Sequence, residues 1–405
     1  VSREENERIA ELAAGARAAG KIALDTEFMG EGRYRTLLCL IQLAIPGPGG
    51  DGSSSPEGRI EIADPLAEDF DGSPLASVLA DPAIQVVVHA GRQDIALMRR
   101  ALATEVSNVF DTQVAAGFAD LGAQSSYDSL LSDTLGVRLA KGASFTRWDV
   151  RPLSPEQVRY AREDVVHLLE LAGELERRLV SLGRLQWARE ECEPLAHSND
   201  DRDPDAIFAR LPRVRNLSPS ARPIARELVL WRERTAARRD RPVQSVLSDV
   251  ALLEIAKRRP GSPAELQRIR GVGSLGSGRA ADEVLQAVER GGARDPEEIA
   301  HEERPPAPRP QDAPLIPLGE ALLRARAREA GLAYELLATR SDLQAIVSSR
   351  MNDAEADVRT LKGWRRELVG EELLALLDGR LSLSVIARGA PGPSPGARLR
   401  VLPVE

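Results

Sequence analysis

Two acids, Asp25 and Glu27, stand two residues apart in KIALDTEFM, directly after an apolar run that reads as a strand. In an extended backbone residues i and i+2 share a face, so both carboxylates point to one side of a sheet. Neighbouring acids raise each other's pKa unless a positive charge lies between them. A divalent cation meets that need, and an all-oxygen donor set suits Mg2+ or Mn2+ rather than zinc, which would bring histidine or cysteine. An isolated Asp-x-Glu pair is usually no more than the solvated end of a strand, so the chemistry depends on further acids.

Two other places supply them. Asp94 lies near the start of the helix that follows the buried strand IQVVVHA. Such strand-to-helix edges collect ligands in open α/β sheets, although a first-turn acid also complements the helix dipole. Tyr160 and Asp164 are four apart on one helix and therefore share a face. They read either as a packed ring with a solvated acid, or as a metal-binding acid with a hydroxyl aimed at an attacking water. Four carboxylates from one strand and two helices would repel unless two cations, about 4 Å apart, lay among them, an arrangement that hydrolyses phosphodiesters.

The elements that must position these groups follow from periodicity and breakers. A helix over 3–19 ends at Gly20, and strands follow at 21–27, 36–45, 59–63 and 84–90, with a short apolar step ending at Asp111. The Gly- and Ser-rich IPGPGGDGSSSPEGR reads as a mobile loop or hairpin tip. Ser154-Pro155-Glu156-Gln157 combines a capping box with proline at the first helical position, opening a helix that runs through Tyr160 and Asp164 to about Leu182. Alternating strands and helices make 1–190 an α/β layer domain. A polar, proline-punctuated linker over 191–216 precedes helices at 217–296. A Pro-rich linker over 297–314 leads to a second helical unit at 315–390, with helices including 355–361, and the tail 391–405 reads as loosely ordered.

At 405 residues the chain has room for two or three cores, and no apolar run approaches the roughly 18 residues of a membrane span. The charged, helical start is unlike a signal peptide, which makes the cytoplasm the default location. Cys39 and Cys192 suggest neither a metal cluster nor a disulfide framework. A net charge of -8 argues against non-specific nucleic-acid binding by the whole molecule, and 3% aromatic residues argue against a broad base-stacking platform. Residues 222–279 nevertheless hold 13 Arg+Lys against 6 Asp+Glu, the footprint of a local phosphate-binding face. Within it, Arg268, Arg270 and Arg279 flank the glycine-containing turn IRGVGSLGSG, which is a candidate phosphate contact or merely a tight interhelical turn.

The segments IALDTEF, VVVHAGRQD, VFDTQVAAGF and RPLSPEQVRYAREDV resemble the motifs of the ribonuclease D family, in the tyrosine subclass of the DEDD superfamily of 3'-to-5' exonucleases, over roughly 21–180. Residues 217–292 resemble the HRDC nucleic-acid-binding module, and 315–379 the more divergent second helical repeat of that family. The resemblance implies an α/β, ribonuclease H-like exonuclease domain with a mixed sheet, followed by two all-helical HRDC-like domains. It implies a 3'-5' exoribonuclease that releases nucleoside 5'-monophosphates from RNA with a free 3' end, transfer RNA precursors among them, using two divalent ions, Mg2+ or Mn2+.

Asp25 would then bridge the two ions, Glu27 and Asp164 would complete the one that holds the nucleophile, and Asp94 would serve the other. Tyr160, with an ordinary pKa near 10, would position the water rather than deprotonate it. Phe28 and Met29 would wedge the terminal base or pack in the core, and His89 divides in the same way between substrate and core. Lys141, Arg147 and Arg151 precede the third motif and would grip phosphates or simply be solvated. Asp111, Asp149, Glu163 and His167 read as capping or surface groups. Two departures stand out: the family commonly carries a strand ahead of the first helix, and GASFTRWDVRP puts Gly142 and Arg147 into a loop where the family usually has serine and threonine-aspartate-tryptophan. The alternatives are a DNA exonuclease of the same superfamily and an HRDC-type adaptor with a dead exonuclease fold. Retention of all four acids and Tyr160 speaks against the adaptor. No obligate partner or membrane is implied, and the appended helical domains favour a monomer.

Overall fold

Ile9, Leu12, Ala13 and Ala16 recur on one face of α1 (Arg3–Ala19) and bury it against a sheet. The computed structural model describes residues 3–47, 58–139, 147–295, 309–352, 354–386 and 399–404. Helix α1 stops at Gly20, where a φ of 68° is open to glycine without strain, and β1 (Lys21–Met29) begins. On one side of β1, β2 (Leu37–Ile45) and β3 (Arg59–Ala63) form an antiparallel meander; on the other, β4 (Gln85–Val88) and β5 (Val109–Asp111) lie parallel. The strand order is β3-β2-β1-β4-β5, a mixed sheet as expected. Between the parallel strands run α2 (Ser73–Leu79) and α3 (Arg92–Leu102), and after them come α4 (Thr112–Phe118) and α5 (Tyr127–Leu135).

Alternation along the strands sorts two layers. Ile22, Leu24, Leu43, Val86 and Val88 face α1, α2 and α3, whereas Ala23, Ala44, Val87 and Phe110 face the opposite layer with α4 and α5. That second layer is completed by α6 (Pro155–Val166), α7 (Leu168–Ser181) and α8 (Leu185–Ala196). The helix expected to run unbroken to about Leu182 is two, meeting at His167. No Gly or Pro marks this break. It lets α6 direct Tyr160 and Asp164 at the sheet while Leu171, Leu175 and Leu179 carry α7 over the core.

Helix α8 (Leu185–Ala196) runs past the expected boundary at 191, with Cys192 wholly buried and Leu195 and Ala196 in the core beneath α3. Pro194 and the polar run after it disguise an apolar face that continues from Ala188. The next core begins at Phe208 on α9 (Pro204–Arg210), capped by Asp203, rather than at 217. It continues through α10 (Arg222–Arg239), α11 (Val243–Val246), α12 (Asp249–Arg258), α13 (Pro263–Gln267) and α14 (Gly278–Gly292).

This helical module grips the β1–β2 connection. Asp240 accepts from the Tyr34 amide at 3.1 Å and from Arg33 Nη1 at 3.0 Å. Glu233, 4% exposed, accepts from the Tyr34 hydroxyl at 3.0 Å and from Arg202 Nε and Nη2 at 2.6 and 3.1 Å.

The last unit comprises α15 (Leu315–Glu329), α16 (Tyr334–Leu337), α17 (Arg340–Arg350), α18 (Gly363–Arg365) and α19 (Glu371–Leu377). Its apolar residues join those of α4, α5, α7 and α8 in one continuous core. Trp364 stacks on Trp187 with centroids 5.2 Å apart and meets Phe118 edge-on at 5.1 Å, while Arg365 Nη2 donates to Glu191 at 2.6 Å. Of the helix expected at 355–361 only a turn at Arg359–Leu361 forms. Nor is the unit all-helical: Leu381–Val385 and Leu399–Pro403 pair as a hairpin, so part of the expected tail is a strand. Among the described residues no helix is long and apolar enough to cross a membrane.

Candidate active site

Strand β1 enters between β2 and β4, and its alternation delivers Asp25 and Glu27 to the α6 side of the sheet. The register slips between Glu27 and Phe28. Bulges of this kind re-aim side chains beside active sites, and here Phe28 emerges 38% exposed while Met29 packs near Leu40 and Trp148.

Asp94 comes from the first turn of α3. The β4–α3 crossing is tight: a Cβ on Gly91 would lie 2.5 Å from the Val88 side chain. Asp111 staples this crossing to the next one, accepting from the amides of Ala90 and Gly91 at 3.1 and 2.9 Å and capping α4 through Gln113 and Val114. Capping is thus its function, as read from the sequence. Asp94 is 7% exposed and accepts a hydrogen bond from the hydroxyl of Thr26, which lies between the two other acids in β1 and points to the opposite, α3 face of the sheet.

Tyr160 and Asp164 come from α6, whose start shows the expected capping box at Ser154 and Gln157. Trp148, buried, lies 6.0 Å from the Tyr160 ring. The segment carrying Trp148 is fixed by Arg151, whose Nε and Nη2 bind Asp64 at 2.5 and 2.7 Å. Its Nη1 donates to the carbonyls of Trp148 and Val150, and Nη2 also donates to that of Cys39. All five guanidinium donors of Arg151, expected to grip phosphate, are spent within the protein, where they seat the loop against Tyr160. Arg147 likewise spends its fork on Asp149, at 2.8 and 2.9 Å, although it stays largely exposed. Lys141 and Gly142 lie outside the described residues.

The electrostatics tie the four acids into one cluster. Burial, then the charges of Asp94, Asp164 and Glu27, hold the Asp25 carboxyl well above the usual carboxylate range. Burial, then Asp164 and Asp94, push Glu27 up to about 8. Burial, with Glu163 beside it, pushes Asp164 up to about 7. Burial also raises Asp94, partly countered by the Thr26 hydroxyl. Tyr160 is pushed up to about 12, by burial and then by Asp164, Glu27 and Asp25. Among the described residues no basic side chain figures in the charges that shift these acids.

An oxygen-only cluster that lacks an internal counter-charge fits hard divalent cations. Among the described residues no group of three or more His, Cys, Asp or Glu side chains is placed closely enough to hold a metal ion as it stands.

His89 Nδ1 lies 2.9 Å from the Thr112 hydroxyl, which itself donates to the Val88 carbonyl, so Nδ1 carries the proton and donates. Burial lowers the His89 pKa, keeping the ring neutral. His89 therefore ties the β4 edge to Thr112. The Tyr127 ring lies 5.5 Å from the His89 ring. Sequence reading missed Thr26, Trp148 and Tyr127 as parts of the site; only Thr26, inside the Asp-Thr-Glu triplet, carried a local signal. In the helical module Arg268 and Arg270 are exposed, whereas Arg279 pairs with Glu283 at 3.1 Å.

Comparison with known proteins agrees with this geometry. Residues 2–180 match the family model described as 3'-5' exonuclease, and residues 222–288 match the HRDC domain. Ribonuclease D of Gluconacetobacter diazotrophicus is 36% identical over 90% of this chain and 89% of its own length. That of Granulibacter bethesdensis is also 36% identical, over 94% and 93%. The crystal structure of Escherichia coli RNase D, described as an exoribonuclease involved in structured RNA processing, superposes with a TM-score of 0.77 at 28% identity, covering 92% of this chain and 97% of that one. The catalytic core of RRP6 from Trypanosoma brucei gives a TM-score of 0.52 at 25% identity over 71% and 77%. Acid cluster, mixed sheet and helical module together with these matches lead to one conclusion: the chain belongs to the ribonuclease D family of DEDD-type 3'-5' exoribonucleases with an HRDC domain.

Proposed function

We propose that this exoribonuclease trims the 3' ends of structured RNAs, transfer RNA precursors among them, as a monomer, with Asp25, Glu27, Asp94 and Asp164 holding two divalent cations, Mg2+ or Mn2+, and Tyr160 orienting the water. The observation that carries the reading is the convergence of four acids from β1, α3 and α6, each raised above the usual carboxylate range first by burial, with no basic side chain of the described residues named among the charges that shift them. Such cations, when bound, supply the Lewis acidity that activates water and offsets charge on the leaving 3' oxygen.

The chain's own groups do the rest. Tyr160, pushed up to about 12, keeps its proton at neutral pH, so its hydroxyl fixes the direction of attack by hydrogen bonding. Trp148 packs beside its ring, with centroids 6.0 Å apart. Phe28, exposed beside Glu27, offers a face for the terminal base. Arg268 and Arg270 are the module's candidates for phosphate contacts remote from the site.

Catalytic unit, HRDC module and C-terminal unit are proposed as the three functional parts. The test is digestion of matched 5'-labelled RNA and DNA with free or blocked 3' ends. Stepwise shortening of free-ended RNA is expected, with Tyr160→Phe slower by about 10²-fold at unchanged Mn2+ affinity. Trimming of DNA alone would overturn the substrate assignment, and full turnover by Tyr160→Phe would remove its role.

A further inference from the structure

Gln42 lies in the middle of β2, directly across the ladder from Asp25 on one side and Ile62 on the other. Its side chain is wholly buried, and among the described residues neither its amide nitrogen nor its amide oxygen has a hydrogen-bond partner. Two residues away in either direction, on the same face, stand Leu40 and Ala44. Leu40 packs in a cluster with Ile62 and Ala161, and Ala44 in one with Ile60 and Val165. The apolar layer beneath α6 is therefore interrupted by an amide at the level of Asp25.

Packing alone asks for leucine or methionine at this position, because a buried amide without partners is destabilising. The partner has to come from the working state of the site. Opposed residues of an antiparallel pair have their Cβ atoms about 4.5–5.5 Å apart, a span that a glutamine amide covers to an aspartate carboxylate. A carboxylate only accepts, so the donor is Nε2.

We propose that Gln42 is a positioning residue for the exonuclease reaction, its Nε2 donating to the Asp25 carboxylate in the cation-loaded site and fixing the rotamer from which Asp25 reaches the ions. This rests on the assignment of Asp25 as a ligand. Outer groups that orient a ligand typically matter by about 10–100-fold in metal affinity or rate.

The decisive variant is Gln42→Met, which keeps length and removes the amide. Three readings are taken: thermal unfolding without metal, calorimetric titration with Mn2+ alone, and single-turnover kinetics on a short RNA. Melting at an equal or higher temperature is expected, with Mn2+ affinity weakened about tenfold or more and the rate at saturating RNA reduced about 10–100-fold with little change in KM. Mn2+ affinity and rate within about twofold of the parent would overturn the proposal. So would lower melting with unchanged affinity. If neither Gln42→Met nor Gln42→Leu folds, the amide is needed by the fold itself and the proposal also fails. Asp25→Asn is run beside them: if that variant still binds Mn2+ and cleaves, it is the ligand assignment that falls, whatever Gln42 does.

Discussion

Stripped of divalent ions, the protein is expected to lose stability as pH rises through neutrality. Glu27 and Asp164 have folded-state values of about 8 and about 7 against ordinary values of 4.5 and 3.8. Between those limits the native state keeps protons that the unfolded chain has already released. Stability therefore falls with rising pH: the contribution of these groups is whole below about pH 4 and gone above about pH 8. At about 1.4 kcal/mol per unit, the Glu27 shift alone sets a ceiling near 5 kcal/mol. The acids repel one another and titrate as a set, so their shifts do not add, and about 3 kcal/mol for the whole cluster is the expected size. Urea unfolding at pH 5 and pH 8 in a chelator measures it, with Asp25→Asn as the control that cancels every group outside the cluster. That variant should be inactive yet more stable than the parent at pH 8, and Mg2+ should stabilise the parent more at pH 8 than at pH 5. Identical slopes for parent and variant, or Mg2+ stabilisation independent of pH, would refute the cluster's electrostatics.

Three further outcomes follow from particular contacts. Arg151→Met removes five hydrogen bonds and strands Asp64, so a loss of about 3 kcal/mol is expected together with slower turnover through a loosened Tyr160, while the salt dependence of RNA binding stays unchanged. Arg268→Ala with Arg270→Ala should weaken RNA binding and lower the slope of log affinity against log salt by about 2; an unchanged slope would return both residues to ordinary solvation. Glu233→Gln removes the charge and one of the two acceptor oxygens that hold Arg202 and Tyr34, with an expected loss of about 3 kcal/mol and faster amide exchange over residues 30–36; unaltered exchange there would mean that the module does not hold the turn.

The parts of this fold that were legible in the sequence are those whose signal lies within a few residues. Strand alternation places Asp25 and Glu27 on one face, and the Ser154 capping box fixes where α6 begins and hence where Tyr160 and Asp164 point. Contacts made across many residues left no such trace. Arg151 reads as a loop cation, and only the fold reveals that Asp64 and the Cys39 carbonyl occupy it. Helix α8 was hidden because Pro194 and the polar run that follows it outweigh an apolar face whose partners lie on β5 and α3. The break at His167 has no breaker residue. It is tertiary packing that turns a continuous helical pattern into two helices with different duties.

The same distinction explains why the helical units are not mere appendages. The C-terminal unit shares its core with α4, α5, α7 and α8, so burying Trp364 against Trp187 and Phe118 stabilises both parts at once. The HRDC module touches the catalytic layer more sparingly, and does so at the turn that continues β1 beyond Asp25 and Glu27. Arg100 holds the far side of that turn at the Thr36 carbonyl and ion-pairs with Asp200, in the segment leading to the module. The bulge at Phe28 is thus fixed between a sheet that sets the acids and a module that carries an excess of basic residues. The stacking of a terminal base proposed for Phe28, the exposed ring of β1, would therefore occur at the end of the strand whose turn the module holds.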